Sequence, residues 1–262
     1  MDERLKEFER LLDIMDELRE KCPWDRVQTL ESLRNLTIEE AYELSEAISR
    51  NDLDDVKKEL GDLLLHIVFY SKIGSELKAF DIDDVLKSIN GKLIYRHPHV
   101  FGDTEVADEN EVKENWEHLK IRETNKTVLS GVPATLPALI KANRIQDKVK
   151  GVGFDWEEKH QIWDKVMEEL LELKDEIHRA DRSKTEAEFG DLFFSLVNAA
   201  RLYGIDPETA LEKTNQKFTR RFNYLESQTM AKGRSLKDMS LDEMNVIWEE
   251  AKNLDDTGGH KP

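Results

Sequence analysis

Internal repetition constrains this chain more than any other feature. Shifted by 129 residues, the stretch EEAYELSEAISRNDLDDVKKELGD (Glu39–Asp62) falls on EELLELKDEIHRADRSKTEAEFGD (Glu168–Asp191) without a gap. Ten of the 24 positions are identical: Glu39, Glu40, Glu43, Leu44, Ile48, Arg50, Asp52, Glu59, Gly61 and Asp62 with their counterparts. The match runs on into LLLHIVFY against LFFSLVNA. It weakens but persists in CPWDR (Cys22–Arg26) against VGFDW (Val152–Trp156), and in NGKLIYRH (Asn90–His97) against NQKFTRRF (Asn215–Phe222). Self-similarity of this kind marks tandem copies of one structural unit. The 262 residues suit two domains of about 125 each. We expect them at 1–125 and 126–262. The join should lie near 124–139, where two prolines, a glycine and small polar residues gather, and the tail 255–262 should be disordered.

The periodicity is helical. Leu5, Phe8, Leu11, Leu12, Met15 and Leu18 recur at the spacing of one helix face. Asp52 sits at an N-cap position with Asp55 three residues on, so RNDLDD reads as a turn between two helices. Strand-like alternation is not evident. The expected fold is all-α: two helical bundles in tandem, each carrying its acids on two consecutive helices that pack antiparallel.

Those acids are out of place. Glu39–Asp62 holds nine acidic residues and three basic ones. At about 100° per residue, Glu39, Glu40 and Glu43 share an arc of about 100°, and Glu59 and Asp62 stand about 60° apart. Leu63, Val56, Tyr70, His66 and Ile67 surround Glu59 on that wheel, so it points into the apolar sector. Glu188 is flanked likewise by Leu192, Ala199 and Leu196. A carboxylate taken from water without a partner costs several kcal/mol or takes up a proton. Lys57 and Lys58 project from other sides of the helix. A divalent cation would compensate, and carboxylate oxygens suit Mg²⁺, Mn²⁺ or Ca²⁺. Zinc would recruit His or Cys, which do not occur at corresponding places in the two copies. A di-iron bundle needs an ExxH from each of two helices, and the one match, Glu157–His160, has no counterpart in the first copy. An EExxE alone is an ordinary solvated face. Its pairing with ExxD, repeated, is what points to metal.

Composition narrows the partners. With 39 Lys and Arg against 56 Asp and Glu, the formal charge is −17, which disfavours nucleic acid and anionic membranes as partners. A small phosphorylated ligand arriving with metal remains compatible. Uncharged apolar stretches such as LLLHIVFYS run to about nine residues, against the ~20 of a membrane span. The single cysteine, Cys22, fits a reducing cytosol, and the N-terminus lacks the apolar run of a signal peptide. A cytoplasmic location is expected.

The segments CPWDRVQT, TIEEAYE, ELGDLLLHIVFY, RHPHVF, LPAL, VGFDW and FGDLFFSLVN together resemble the two-domain form of the MazG family of nucleoside triphosphate pyrophosphohydrolases, in the all-α NTP pyrophosphatase group. The resemblance implies Mg²⁺-dependent hydrolysis of a nucleoside triphosphate to the monophosphate and pyrophosphate, with Mn²⁺ as the substitute ion. It also implies a homodimer formed by helix packing, and a role in clearing unwanted nucleotides. By motif matching it gives Glu40, Glu43, Glu59 and Asp62 as metal ligands in the first copy, and Glu169, Glu172, Glu188 and Asp191 in the second. Glu39 and Glu168 would stand beside them, either supporting the ligands or acting as bases.

Phosphate also wants fixed cations. Lys92 and Arg96 are four apart, hence on one helix face, and Lys217 and Arg221 repeat that spacing; we assign them to the phosphate chain. Trp24, Phe154, Trp156 and Trp248 can either stack on a base or fill core, and Trp248 is taken as a substrate contact. His97–His99 (HPH) reads as a turn, because Pro98 breaks a helix there. NRIQDK (Asn143–Lys148) could touch substrate, but its spacing says little. The rival class is a non-catalytic metal-stabilised helical scaffold or nucleotide sensor.

Overall fold

The computed structural model describes residues 2–256 apart from 107, 109–110, 113–114, 117–118 and 120–126. The expected join at 125/126 and residues 257–262 of the tail lie outside that set. Among the described residues there is no strand, and no helix is long and apolar enough to cross a membrane. The chain parts into two compact units, Met1–Val106 and Ala107–Pro262.

In the first unit the helices are α1 (Glu3–Lys21), α2 (Pro23–Arg26), α3 (Leu30–Arg50), α4 (Leu53–Glu76), α5 (Ile82–Arg96) and α6 (Pro98–Phe101). Their starts are written in side chains. Thr29 and Ser32 form a reciprocal capping box at α3, Asp81 and Asp84 another at α5, and the Asp52 carboxylate accepts from the Asp55 amide at 3.1 Å to open α4. Pro98 ends α5 and sits at the first position of α6, the break expected at HPH. Met15, Leu33, Val68, Phe69 and Ile73 make the core, with Phe8, Leu11 and Leu12 of the α1 stripe packed on it. Between α3 and α4 the Thr37 hydroxyl meets both His66 Nδ1 and the Tyr70 hydroxyl at 2.7 Å. Burial pushes the His66 imidazole below its ordinary range, against an opposing pull from Asp62.

In the second unit a 3₁₀ turn spans Val128–Gly131. The unit continues through α7 (Ala138–Lys150), α8 (Ile162–Arg179), α9 (Arg182–Leu202), α10 (Pro207–Ala231), a 3₁₀ turn at Leu236–Asp238 and α11 (Leu241–Asp256). Helices α8 and α9 form the hairpin that α3 and α4 form in the first unit, around Ile162, Val166 and Ala199. Even the turns agree. Asn51 and Ala180, 129 residues apart, both adopt the left-handed conformation at φ 57°, and the next residue in each case, Asp52 or Asp181, caps the following helix.

Both hairpins also leave the same apolar face bare. Ile38, Tyr42, Leu60, Leu64 and Ile67 are exposed on the first. Their counterparts 129 residues on, Met167, Leu171, Phe189, Phe193 and Leu196, are exposed on the second. Repetition at five positions makes this a designed surface rather than scattered apolar residues.

Asn tolerates the left-handed region, whereas Ala carries a Cβ penalty of about 1–2 kcal/mol there. Ala180→Gly removes that clash at some entropic cost and should stabilise the second unit by about 0.5–1 kcal/mol. Asp181→Ala, which deletes the adjacent cap, should cost about 1 kcal/mol. Urea unfolding of the full chain checks both signs.

Candidate metal centres and an adjoining cavity

Each hairpin gathers its carboxylates from both helices. One oxygen each of Glu40, Glu43 and Glu59 lies within 4.8 Å of the others, and Glu169, Glu172 and Glu188 do the same in the second unit. Glu59 is 2 % exposed, and its Oε2 has no hydrogen-bond partner. A buried anionic oxygen with no donor beside it, inside a set of hard oxygen ligands, is what a divalent cation would satisfy. Asp62 and Asp191 stand outside both triplets, yet each is close enough to act on its cluster's electrostatics. Burial, then Asp62, Glu43, Glu59 and Glu39, raise the Glu40 carboxyl above its ordinary range. Burial, then Glu172, Asp191, Glu169 and Glu176, raise that of Glu188. Glu39 and Glu168 lie exposed on the helix flank next to the ligands.

Two features depart from the helical-wheel reading. The deep carboxylate of the second copy is Glu169 on α8, at 6 % exposure, while Glu188 on α9 is half-buried. Lysines also reach both deep carboxylates. Lys58, placed by the wheel on another side of α4, folds its stem back so that Nζ meets Glu59 Oε1 at 2.7 Å. Four methylenes span the angle between neighbouring positions, which a wheel of Cα directions omits. In the second copy Lys165 reaches Glu169 Oε1 at 2.8 Å and Glu168 Oε1 at 2.9 Å, and these two carboxylates, Glu169 first, hold its ammonium above the ordinary lysine range. The two lysines are not equivalents. The 129-residue shift places Leu36 opposite Lys165 and Ala187 opposite Lys58.

The second unit adds a cavity of about 480 Å³ that reaches from Glu169, Asp191 and Lys165 to Phe154, Trp156, Gln146 and Asn198. Phe154 is 79 % exposed and Trp156 lies at the same mouth, so neither fills core. Arg201 closes one wall, donating to Asp155 Oδ2 at 3.1 Å and to Asn198 Oδ1 at 2.8 Å.

The five candidate substrate contacts sit elsewhere. Lys92 is exposed on α5, and Arg96 is half-buried at its end. Lys217 is exposed on α10, while Arg221 donates to Asp255 Oδ2 at 2.7 Å with Arg220 beside it. Trp248 is half-buried on α11 with its ring 5.1 Å from that of Phe218. None of the five lines the cavity. Spacing missed Lys165, Asn198 and Arg201. One signal was available: Asn198 aligns with Phe69, a polar residue where the first copy places a core ring.

Comparison with known proteins decides the family. The model of the MazG nucleotide pyrophosphohydrolase domain matches residues 28–101 and 157–225, so each acidic hairpin falls inside one match. The chain belongs to the MazG family. The nucleoside triphosphate pyrophosphohydrolase/pyrophosphatase MazG of Thermotoga maritima is 43 % identical over 95 % of this chain and 97 % of its own length. The nucleoside triphosphate pyrophosphohydrolase of Escherichia coli is 41 % identical over 95 % of this chain and 98 % of its own. A Bacillus subtilis protein, YabN, is 48 % identical over 95 % of this chain but only 52 % of its own, so the MazG pair also occurs as half of a longer protein.

Both upward shifts mean that the metal-free fold favours the protonated carboxyl. Their contribution to stability is present at low pH and lost as pH rises through the raised values. Cation binding needs the ionised form, so it should weaken over the same window. Calorimetric titration with Mg²⁺ should show affinity that begins to fall, as pH is lowered, while a glutamate at the ordinary value of about 4.3 is still ionised. A flat profile would contradict the shifts.

Proposed function

We propose that this chain hydrolyses a nucleoside triphosphate to the monophosphate and pyrophosphate with Mg²⁺, Mn²⁺ serving in its place. The observation that carries this reading is the carboxylate triplet formed twice, at the same relative positions, within the two segments that match the MazG domain. Glu40, Glu43, Glu59 and Asp62 would hold the cation in the first copy, and Glu169, Glu172, Glu188 and Asp191 in the second. When bound, the cation supplies positive charge against the triphosphate and acidifies water.

The chain's own residues do the rest. Glu39 or Glu168, exposed beside the ligands, takes the proton of the water that attacks the α-phosphorus. The Lys165 ammonium, which bridges Glu168 and Glu169, is within a flexible stem's reach of the same lining and would serve as a cation for the phosphate chain. Lys92, Arg96, Lys217 and Arg221 are the further cations assigned to phosphate, and Trp248 the further aromatic contact. Clearing noncanonical nucleotides in the cytoplasm is the role we assign, in keeping with a single free cysteine.

Assay of pyrophosphate release from mixed triphosphates tests the reading. Chelation should abolish release, and Mg²⁺ should restore it. Glu59→Gln, Glu169→Gln and Glu188→Gln are made separately, and at least one should lower turnover by about 100-fold or more. Melting temperature without metal should hold or rise in that variant, since a crowded charge has been removed. Unchanged turnover in all three and in their combination rejects the ligand assignment. No release from any nucleotide would favour the scaffold or sensor.

We further propose a homodimer in which the bare apolar faces of the two hairpins are covered by their counterparts. Exposure of apolar side chains at five matched positions supports it. Sedimentation equilibrium should give twice the chain mass, and Leu64→Glu combined with Phe193→Glu should shift it to the monomer.

A further inference from the structure

The first hairpin holds a polar network that the second lacks. His66 is 7 % exposed on α4, and its Nδ1 meets the Thr37 hydroxyl of α3 at 2.7 Å. The same hydroxyl meets that of Tyr70 at 2.7 Å and donates to the Leu33 carbonyl at 3.0 Å. A threonine hydroxyl has one proton and two lone pairs. With its proton given to Leu33, it accepts from the Tyr70 hydroxyl and from His66 Nδ1–H. Burial favours the neutral ring, so Nε2 keeps its lone pair. That nitrogen has no hydrogen-bond partner among the described residues. An imidazole whose Nδ1–H is fixed by a neighbour while Nε2 stays free is prepared as a metal ligand.

Position points the same way. Asp62 and His66 are four apart on α4, a spacing at which one helix face presents two ligands to one ion. Helical side chains lean toward the N-terminus, which tips the His66 ring back over Asp62. Across the hairpin, Asp62 is the acid that acts most strongly on Glu40. The ring stands outside the triplet of Glu40, Glu43 and Glu59, and Asp62 lies between it and Glu59 along α4. In the second copy all three members of the network change. Thr37, His66 and Tyr70 become Val166, Ser195 and Ala199. Val166 and Ala199 are core there, and Ser195 donates to the Leu192 carbonyl of its own helix at 2.9 Å. The nitrogen and the hydroxyls that orient it are present or absent as a set.

We propose that the first hairpin holds a cation site with a nitrogen donor, in which His66 Nε2 joins Asp62 and Glu40 on one divalent ion. An imidazole beside two carboxylates favours a borderline first-row ion such as Co²⁺ or Zn²⁺ over Mg²⁺. The second hairpin offers oxygen alone and lacks that preference. Thr37 is a positioning residue that acts through His66, and Tyr70 secures Thr37. This rests on the reading that the first hairpin's carboxylates bind a cation, and it adds the donor that sets which cation.

The test uses the full chain carrying Glu169→Gln and Glu188→Gln, so that added cations report on the first hairpin. Pulsed EPR of bound Mn²⁺ reads nitrogen coordination, and calorimetry reads Co²⁺ and Mg²⁺ affinity. Bound Mn²⁺ should show nitrogen modulation that changes to the ¹⁵N pattern when only histidine is ¹⁵N-labelled. The modulation should vanish in His66→Gln and in His66→Ser, each checked for an unaltered melting temperature. Co²⁺ affinity should fall about tenfold or more in both, while Mg²⁺ affinity stays within about threefold. Thr37→Val should weaken Co²⁺ binding about tenfold with Mg²⁺ binding and the nitrogen modulation retained, a split that loss of fold would not produce. If either His66 variant melts early, the labelled parent still decides, because it needs no change at His66.

Two results overturn the proposal while leaving the carboxylate ligands intact: bound Mn²⁺ without histidine nitrogen, or equal Co²⁺ affinity in the parent and both His66 variants. The second of these assigns His66, Thr37 and Tyr70 to core packing. Nitrogen coupling in a chain whose unaltered form releases no pyrophosphate rejects the hydrolase reading and keeps the site. A chain that takes up none of the three cations removes both.

Discussion

Crowding like charge between two packed helices is the constraint on which the structure turns. A hairpin of two helices is held by apolar contact, and each carboxylate set into that contact works against it. Here three carboxylates approach within 4.8 Å in each hairpin, and one of them is almost fully buried. The arrangement survives because everything around it is over-determined. The turn residue is left-handed, an aspartate caps the next helix, and apolar residues such as Val68 and Val197 lock the helices beyond the acids. Stability elsewhere holds strain at the site, as functional sites commonly require.

The same reasoning explains why the metal-free state is tolerable. Lys58 and Lys165 lay ammonium groups on the deepest carboxylates, and burial with mutual repulsion raises Glu40 and Glu188. Both devices are reversible. A carboxyl whose charge its neighbours disfavour would gain from an opposite charge nearby, and a lysine with a flexible stem can turn to a new anion. A polyanionic substrate therefore meets a site whose own cation is on hand rather than spent in the core.

Much of this was legible in the sequence. The gapless repeat gave two copies, the 3.6-residue period gave helices, and Asp52 gave the turn, because these are local properties of the backbone and its caps. The burial of Glu59 followed from its apolar neighbours on the wheel. What escaped was non-local. A wheel locates Cα directions, not the reach of a lysine stem, so the partnership of Lys58 and Glu59 was invisible. It also could not show that Glu169 rather than Glu188 lies deepest, since that depends on how α8 and α9 pack against each other in three dimensions. The cavity was hidden for a third reason. Gln146, Phe154 and Asn198 come from three separate stretches, and only tertiary packing brings them together. Their one trace in the sequence was a mismatch: an asparagine where the other copy has phenylalanine.

The different origins of the two lysines carry a lesson about evolution after duplication. The first copy neutralises its inner acid from the second helix of the hairpin, whereas the other copy does so from the first. Each solution is private to its own hairpin, since the opposite position holds Leu36 or Ala187. A chimera joining α3 to α9 would inherit neither cation, and the reciprocal graft of α8 onto α4 would inherit two. The halves, descended from one ancestor, have thus drifted into mutually incompatible charge schemes, and their helices can no longer be traded one at a time.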